Sequence, residues 1–321
     1  MTYYARIIKE YHDQEMGRLL VKHQRHLIST ILVTVTLSVI TFLVIETYLR
    51  FSPEAKATLP SPTLASNYGY TTHVFINAQG LSLTYYLYFP LHYISIQKYP
   101  LVLLLHGGGE RSDPQHTSTQ NQQVLMHQGY VQVWSAQYSA PGNPDIQQHW
   151  PCFVVIPQIN LSQQWVNTSV HKGSYTQSSQ PGTPLLLTKE LLDALQLEYT
   201  SIDAHRLYIT GLSLGGYGTW DTIERWPNYF AAAAPIAGAG DPTKAAVLTH
   251  LPIWAFHGSK DTTVPVSGSR DMINAIRAAG GNPRYTEFSG AGHGVWGYVY
   301  SLTNTSDRVS GFFPWLFSQH K

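Results

Sequence analysis

Apolar runs at 101–105, 152–156, 207–210, 231–236 and 252–256, followed by an alternating stretch at 284–288, punctuate this chain. Runs this short and this continuous predict strands buried on both faces of a sheet. Between them lie segments with helical spacing, notably 185–198 and 269–279, and a further helix expected over 214–226 and stopped by Pro227. Strands alternating with helices are the signature of crossover units, which build a mostly parallel central sheet with helices on both faces, an α/β architecture. Ahead of these units, 73–77 and 81–89 flank Ala-Gln-Gly and predict an antiparallel hairpin. Two polar stretches without apolar periodicity, 111–145 and 160–184, read as long loops that shape a pocket.

The amino-terminal part has a different pattern. From Leu27 to Ile45 there is no charged residue, and at about 1.5 Å per residue that length matches the roughly 30 Å hydrocarbon core of a bilayer. Six hydroxyl residues (Ser29, Thr30, Thr34, Thr36, Ser38, Thr41) dilute its hydrophobicity, although they can bond to carbonyls of the same helix. A transmembrane signal anchor over 27–49 is expected. Arg18, Lys22 and Arg25 precede it and Arg50 and Lys56 follow, so the positive-inside preference puts residues 1–26 in the cytoplasm and the rest outside. The competing reading is a cleaved signal peptide and a secreted protein, with Ala55-Lys-Ala57 as the cleavage site. Residues 50–66, rich in proline and small residues, read as a linker, and 67–321 as one catalytic domain.

The densest chemical signal is Tyr208-Ile-Thr-Gly-Leu-Ser-Leu-Gly-Gly-Tyr-Gly218, in which Ser213 stands between glycines directly after a predicted strand. This spacing is that of a nucleophile elbow, a sharp strand-to-helix turn that aims a serine hydroxyl into a cleft. Leu214 then opens the next helix, where its backbone N–H has no intrahelical partner and is free for a developing oxyanion. Asp261 follows the apolar run 252–256 in His257-Gly-Ser-Lys-Asp261, and His293 lies between glycines just after 284–288. Both sit in loops at strand carboxyl ends, where catalytic groups gather in open α/β sheets. Together the three side chains supply a nucleophile, a general base and a carboxylate that orients the base. The other half of the oxyanion hole is expected where 101–105 runs into His106-Gly-Gly-Gly-Glu-Arg111, at Gly108, with Gly109 as the fallback. Trp165 and Trp296 are candidates for the acyl or alcohol subsite. Glu110 reads either as a support for the glycine loop or as a solvated charge.

Composition narrows the field. A net charge of +1, without an aromatic-flanked basic cluster, argues against nucleic-acid binding. The glycine loop lacks the spacing of dinucleotide and phosphate motifs. No spacing suggests a metal site, no cofactor is implied, and the single Cys152 inside a predicted strand reads as a buried, inert thiol.

Five segments, Leu105-His-Gly-Gly-Gly-Glu-Arg111, Pro151-Cys-Phe-Val-Val-Ile-Pro-Gln158, Gly211-Leu-Ser-Leu-Gly-Gly-Tyr-Gly-Thr-Trp220, Trp254-Ala-Phe-His-Gly-Ser-Lys-Asp261 and Gly290-Ala-Gly-His-Gly-Val-Trp296, carry a resemblance. From about Tyr70 to Phe317 the chain resembles secreted serine esterases of the α/β-hydrolase superfamily. The similar group is the phospholipase/carboxylesterase or prolyl-oligopeptidase-like one, near polyhydroxybutyrate depolymerases and feruloyl esterases. The resemblance implies an α/β-hydrolase fold, a Ser213–Asp261–His293 triad, an oxyanion hole at Gly108 and Leu214, and an ester substrate, small or polymeric. Its alternatives are a serine exopeptidase using the same triad and an inactive α/β-hydrolase acting as a binding module.

Overall fold

A computed structural model of the protein describes residues 63–65, 68–139, 143–170, 173–302, 306 and 308–321, all within one compact unit, Ala57–Lys321. The expected cytoplasmic segment 1–26, membrane helix 27–49 and most of the linker lie outside the described residues. Among the described residues no helix is long and apolar enough to cross a membrane.

The elements run β1 (Thr63–Ala65), β2 (Thr71–Ile76), β3 (Ser82–Tyr88), β4 (Tyr99–Leu105), α1 (Ser118–Met126), α2 (Gly129–Gln132), α3 (Ile146–His149), β5 (Phe153–Gln158), α4 (Thr183–Glu198), β6 (Ile202–Leu212) and α5 (Leu214–Arg225). They continue with β7 (Ala232–Ile236), β8 (Trp254–Gly258), α6 (Ser267–Ala278), β9 (Arg284–Phe288), α7 (Trp296–Val299) and α8 (Phe312–Phe317). The described strands form one sheet in the order β1-β2-β3-β5-β4-β6-β7-β8-β9. The first three strands join antiparallel, and the rest pair in parallel.

Why the central strands are continuous apolar runs is visible in β4. All seven of its residues are buried. Leu101, Leu103 and Leu105 enter the core on one face, while Val102 and Leu104 enter the core on the other. Each leucine so buried stabilises the fold by about 1.5–3 kcal/mol, as an upper estimate. Helices α4, α5 and α6 cover the first face, and α1, α2 and α8 the second. Cys152 is fully buried beside β5, and burial pushes its thiol up, as an inert position requires.

Two expectations change. The linker 50–66 ends in paired structure, because Thr63 and Ala65 sit opposite Thr72 and Thr71 at the sheet edge. Main-chain pairing, which a three-residue strand gets without any side-chain pattern, accounts for this. The stretch 111–145 is not an open loop either. Thr117 and Gln120 form a reciprocal capping box that starts α1, and Leu125, Met126, Tyr130, Val131, Val133 and Trp134 are buried in the second core.

Strand order reverses at β4, which has β5 on one side and β6 on the other. In open α/β sheets a cleft forms outside the strand carboxyl ends at such a point. Here those ends deliver the glycine loop, Ser213 and, further along the same edge, the Asp261 and His293 loops.

Candidate active site

Ser213 follows β6 at φ 54° and ψ −119°, a backbone region that residues with a Cβ rarely occupy. Two features hold it there. Its N–H donates to Ile236 O at 2.9 Å, and α5 packs so tightly beneath it that a Cβ on Gly215 would lie 2.0 Å from Leu105 O. The strain of about 1–3 kcal/mol typical of such conformations projects the hydroxyl out of the turn.

The Asp261 and His293 loops are built against each other. Ser259 N–H donates to Phe288 O at 3.0 Å, Lys260 N–H to Ala291 O at 2.9 Å, and Gly290 N–H to Ser259 Oγ at 2.8 Å. Any side chain at Gly258 would collide with Gly292 O, 2.1 Å from a Cβ there, so glycine lets the histidine loop cross directly over the strand end. The result is a continuous chain of contacts. Ser213 Oγ lies 2.8 Å from His293 Nε2, and His293 Nδ1 lies 2.7 Å from Asp261 Oδ2. Asp261 Oδ1 accepts the N–H groups of Thr263 and Val264 at 2.8 and 2.9 Å. The Asp261 side chain is fully buried, whereas that of His293 is 20% exposed to the cleft. An imidazole held by a carboxylate on one nitrogen and facing a hydroxyl on the other can take the hydroxyl proton and return it.

The cleft has a volume of about 440 Å³, and its lining includes Gly108, Gly109, Ser213, Leu214, His293 and Trp296. Gly108 opens a short 3-10 turn and Leu214 opens α5, so neither N–H has a partner within its own element. Trp296 packs its ring perpendicular to that of His293, centroids 5.3 Å apart. Arg111, at the end of the glycine loop, also lines the cleft. Its Nε donates to Gly108 O at 2.9 Å and its Nη1 to Leu161 O at 2.8 Å, which ties the loop to the next segment.

Trp165 is not part of this cleft, contrary to expectation. It is fully buried, donates Nε1–H to His106 O at 3.0 Å, and packs against α5 at Gly218. It therefore braces the glycine loop from below instead of touching substrate space. From the same stretch, Gln164 and Val170 do reach the cleft, whereas Tyr175 turns away and donates to Asp221 Oδ1 at 3.2 Å.

His106 is a second buried support. Ile159 N–H donates to its Nε2 at 3.2 Å, so its proton lies on Nδ1, 2.6 Å from Gly107 O. Burial lowers the imidazole to about 4 and keeps it neutral. Glu110 proves to be a support, not a solvated charge. Its Oε2 is buried against Gly107, 3.0 Å from where a Cβ there would stand, and burial pushes its carboxyl up. Sequence reasoning also missed His257, which is fully buried with Nε2 3.2 Å from Asp261 Oδ2. Its position four residues before Asp261 was the available signal.

Sheet order, elbow and converging loops define an α/β-hydrolase. The profile of the dienelactone hydrolase family matches residues 123–297, more than half of the chain, and the protein belongs to that family. A solved thermostable esterase is 36% identical, with a TM-score of 0.66 over 78% of this chain and 63% of its own. Poly(3-hydroxyalkanoate) depolymerase C of Paucimonas lemoignei is 34% identical over 195 residues, 59% of this chain and 43% of that protein. A bifunctional acetylxylan esterase/xylanase of Neocallimastix patriciarum is 25% identical over 50% of this chain and 19% of its own length. The chain thus spans less than half the length of these two curated relatives. A feruloyl esterase module from Clostridium thermocellum, 18% identical with a TM-score of 0.51, shares the fold.

Proposed function

We propose that the protein is a serine carboxylic-ester hydrolase working through an acyl-enzyme. The observation that carries this reading is the unbroken contact chain from Ser213 Oγ through His293 to the buried Asp261 carboxylate, opening on a cleft. In this reading His293 Nε2 takes the Ser213 proton as Oγ bonds to the ester carbon. The carbonyl oxygen becomes an anion held by the N–H groups of Gly108 and Leu214, with Gly109 the alternative to Gly108. Collapse breaks the bond to the alcohol, which leaves with the proton from His293. Water then enters by the same route, its proton passing to His293 and on to Ser213 as the acid departs. Asp261 holds the imidazole with its proton on Nδ1 throughout.

Similarity to a thermostable esterase and a polyester depolymerase supports an ester substrate, small or polymeric. Trp296 and Val170 give the cleft an apolar wall against which an acyl or alcohol group can pack. Single-pass anchoring by a segment over 27–49, with the catalytic domain outside the cytoplasm, rests on the uncharged run 27–45 and the basic residues on either side.

Matched p-nitrophenyl esters and p-nitroanilides of the same acyl groups test the substrate class. Ester turnover far above amide turnover is the expected result, with acetyl, longer acyl, feruloyl and polyester substrates then ranking the acyl preference. Amide turnover equal to or above ester turnover would point to an exopeptidase and contradict the proposal.

A further inference from the structure

Asp261 faces two histidines, not one. His293 reaches Oδ2 from the cleft side, and His257 reaches the same oxygen from inside the protein, with Nε2 at 3.2 Å. His257 is the fourth residue of β8 and has no exposed surface. The protonation pattern of its ring follows from its neighbours. Nε2 lies between two groups that can only accept, the Asp261 carboxylate and Val264 O at 3.1 Å, so Nε2 carries the hydrogen. Nδ1 lies 2.8 Å from the Ser269 hydroxyl, which also reaches Gly238 O at 3.2 Å; with the ring neutral and Nε2 protonated, the one hydroxyl hydrogen goes to Nδ1, the shorter contact. Burial pushes this imidazole down from its ordinary value, and the charged form is disfavoured. Its titratable and charged neighbours are Asp261 and His293, together with Glu287 across the strand pair on β9, itself bound to Arg270 of α6.

Building on the triad reading above, we propose that His257 is a positioning residue for Asp261: a neutral imidazole whose Nε2–H bonds to Val264 O while its edge lies 3.2 Å from Oδ2, fixing the carboxylate and the loop that carries it. The geometry gives it two effects. First, the positive N–H edge 3.2 Å behind Oδ2 holds that oxygen toward His293, Oδ1 being already committed to Thr263 and Val264 N–H. Second, that edge draws off part of the negative charge on Oδ2, which moderates how strongly His293 holds a proton. A group acting only as a loop pillar would have the first effect alone, through stability.

The test compares His257→Leu with His257→Gln in the full chain. Leu removes the donor, while the Gln amide can present an N–H at similar reach. In His257→Leu, kcat for a p-nitrophenyl ester falls roughly ten- to a hundredfold, by analogy with the loss of the groups that orient metal-bound histidines. The acidic limb of its kcat/KM profile moves to higher pH, because an uncompensated Oδ2 holds the His293 proton more tightly. In His257→Gln both the rate and the limb return toward the parent. Melting temperatures show that each variant is folded under assay conditions. Equal rates and an unmoved limb in the two variants, or losses that follow melting temperature alone, would overturn the assignment. Turnover that survives Ser213→Ala would instead remove the triad reading and His257's role with it, so the two failures are distinguishable.

Discussion

Ser213→Ala abolishes ester hydrolysis to within a small residual, a loss on the order of 10⁴- to 10⁶-fold in kcat, while the protein stays folded. The size follows from what the hydroxyl does. Without Oγ no acyl-enzyme can form, and His293 is left with no proton to accept 2.8 Å away. What survives is the binding and oxyanion contribution of the cleft, which helps attack by water but cannot replace a covalent route. The fold tolerates the change because the strained backbone at residue 213 is imposed by its surroundings. Its own N–H binds Ile236 O, and the next turn of helix begins with Leu214. Steady-state turnover of a short acyl ester, with circular dichroism confirming structure, checks the result.

Asp261→Asn has the second-largest expected effect, a fall in kcat of about 10³- to 10⁴-fold with little change in KM. The structure gives the reason in atomic terms. Oδ1 accepts two backbone N–H groups, from Thr263 and Val264, and an asparagine there must set its carbonyl oxygen in that place. Its NH₂ group then occupies the position of Oδ2 and points a donor at His293 Nδ1. The imidazole answers by carrying its proton on Nε2, the nitrogen facing Ser213, where it can no longer take the hydroxyl proton. Comparing kcat and KM for the variant and parent separates this from a loss of binding. A rise in KM with kcat unchanged would indicate that Asp261 shapes the cleft and does not orient the base.

Much of this site could be read from the sequence because its parts are local. Gly-x-Ser-x-Gly after a strand-like run sets the elbow by backbone sterics alone, and β6 and α5 meet at Ser213 as that spacing requires. Asp261 follows an apolar strand and His293 an alternating one, so both stood out as polar residues at strand ends, and the parallel sheet brought them to one edge. Other features depended on packing that no local pattern encodes. Trp165 has the composition of a subsite residue, and only the course of its loop beneath His106 shows it to be a buried brace. The helices inside 111–145 were hidden by their glutamines, although the capping residues Thr117 and Gln120 and the apolar group 124–134 carried the signal. β1 is too short for any periodicity and exists through its main-chain pairing with β2. His257 looked like one histidine among 15. Its importance comes from the depth at which β8 buries it beside Asp261.

The proposed activity depends on His293 and Asp261 making Ser213 the nucleophile. Reaction of the full chain with a fluorophosphonate, followed by intact mass measurement and peptide mapping, tests it most directly. The expected result is one adduct per chain, located on Ser213, absent from Ser213→Ala and formed far more slowly in His293→Ala. An adduct on any other residue, or undiminished labelling of Ser213→Ala, would contradict it.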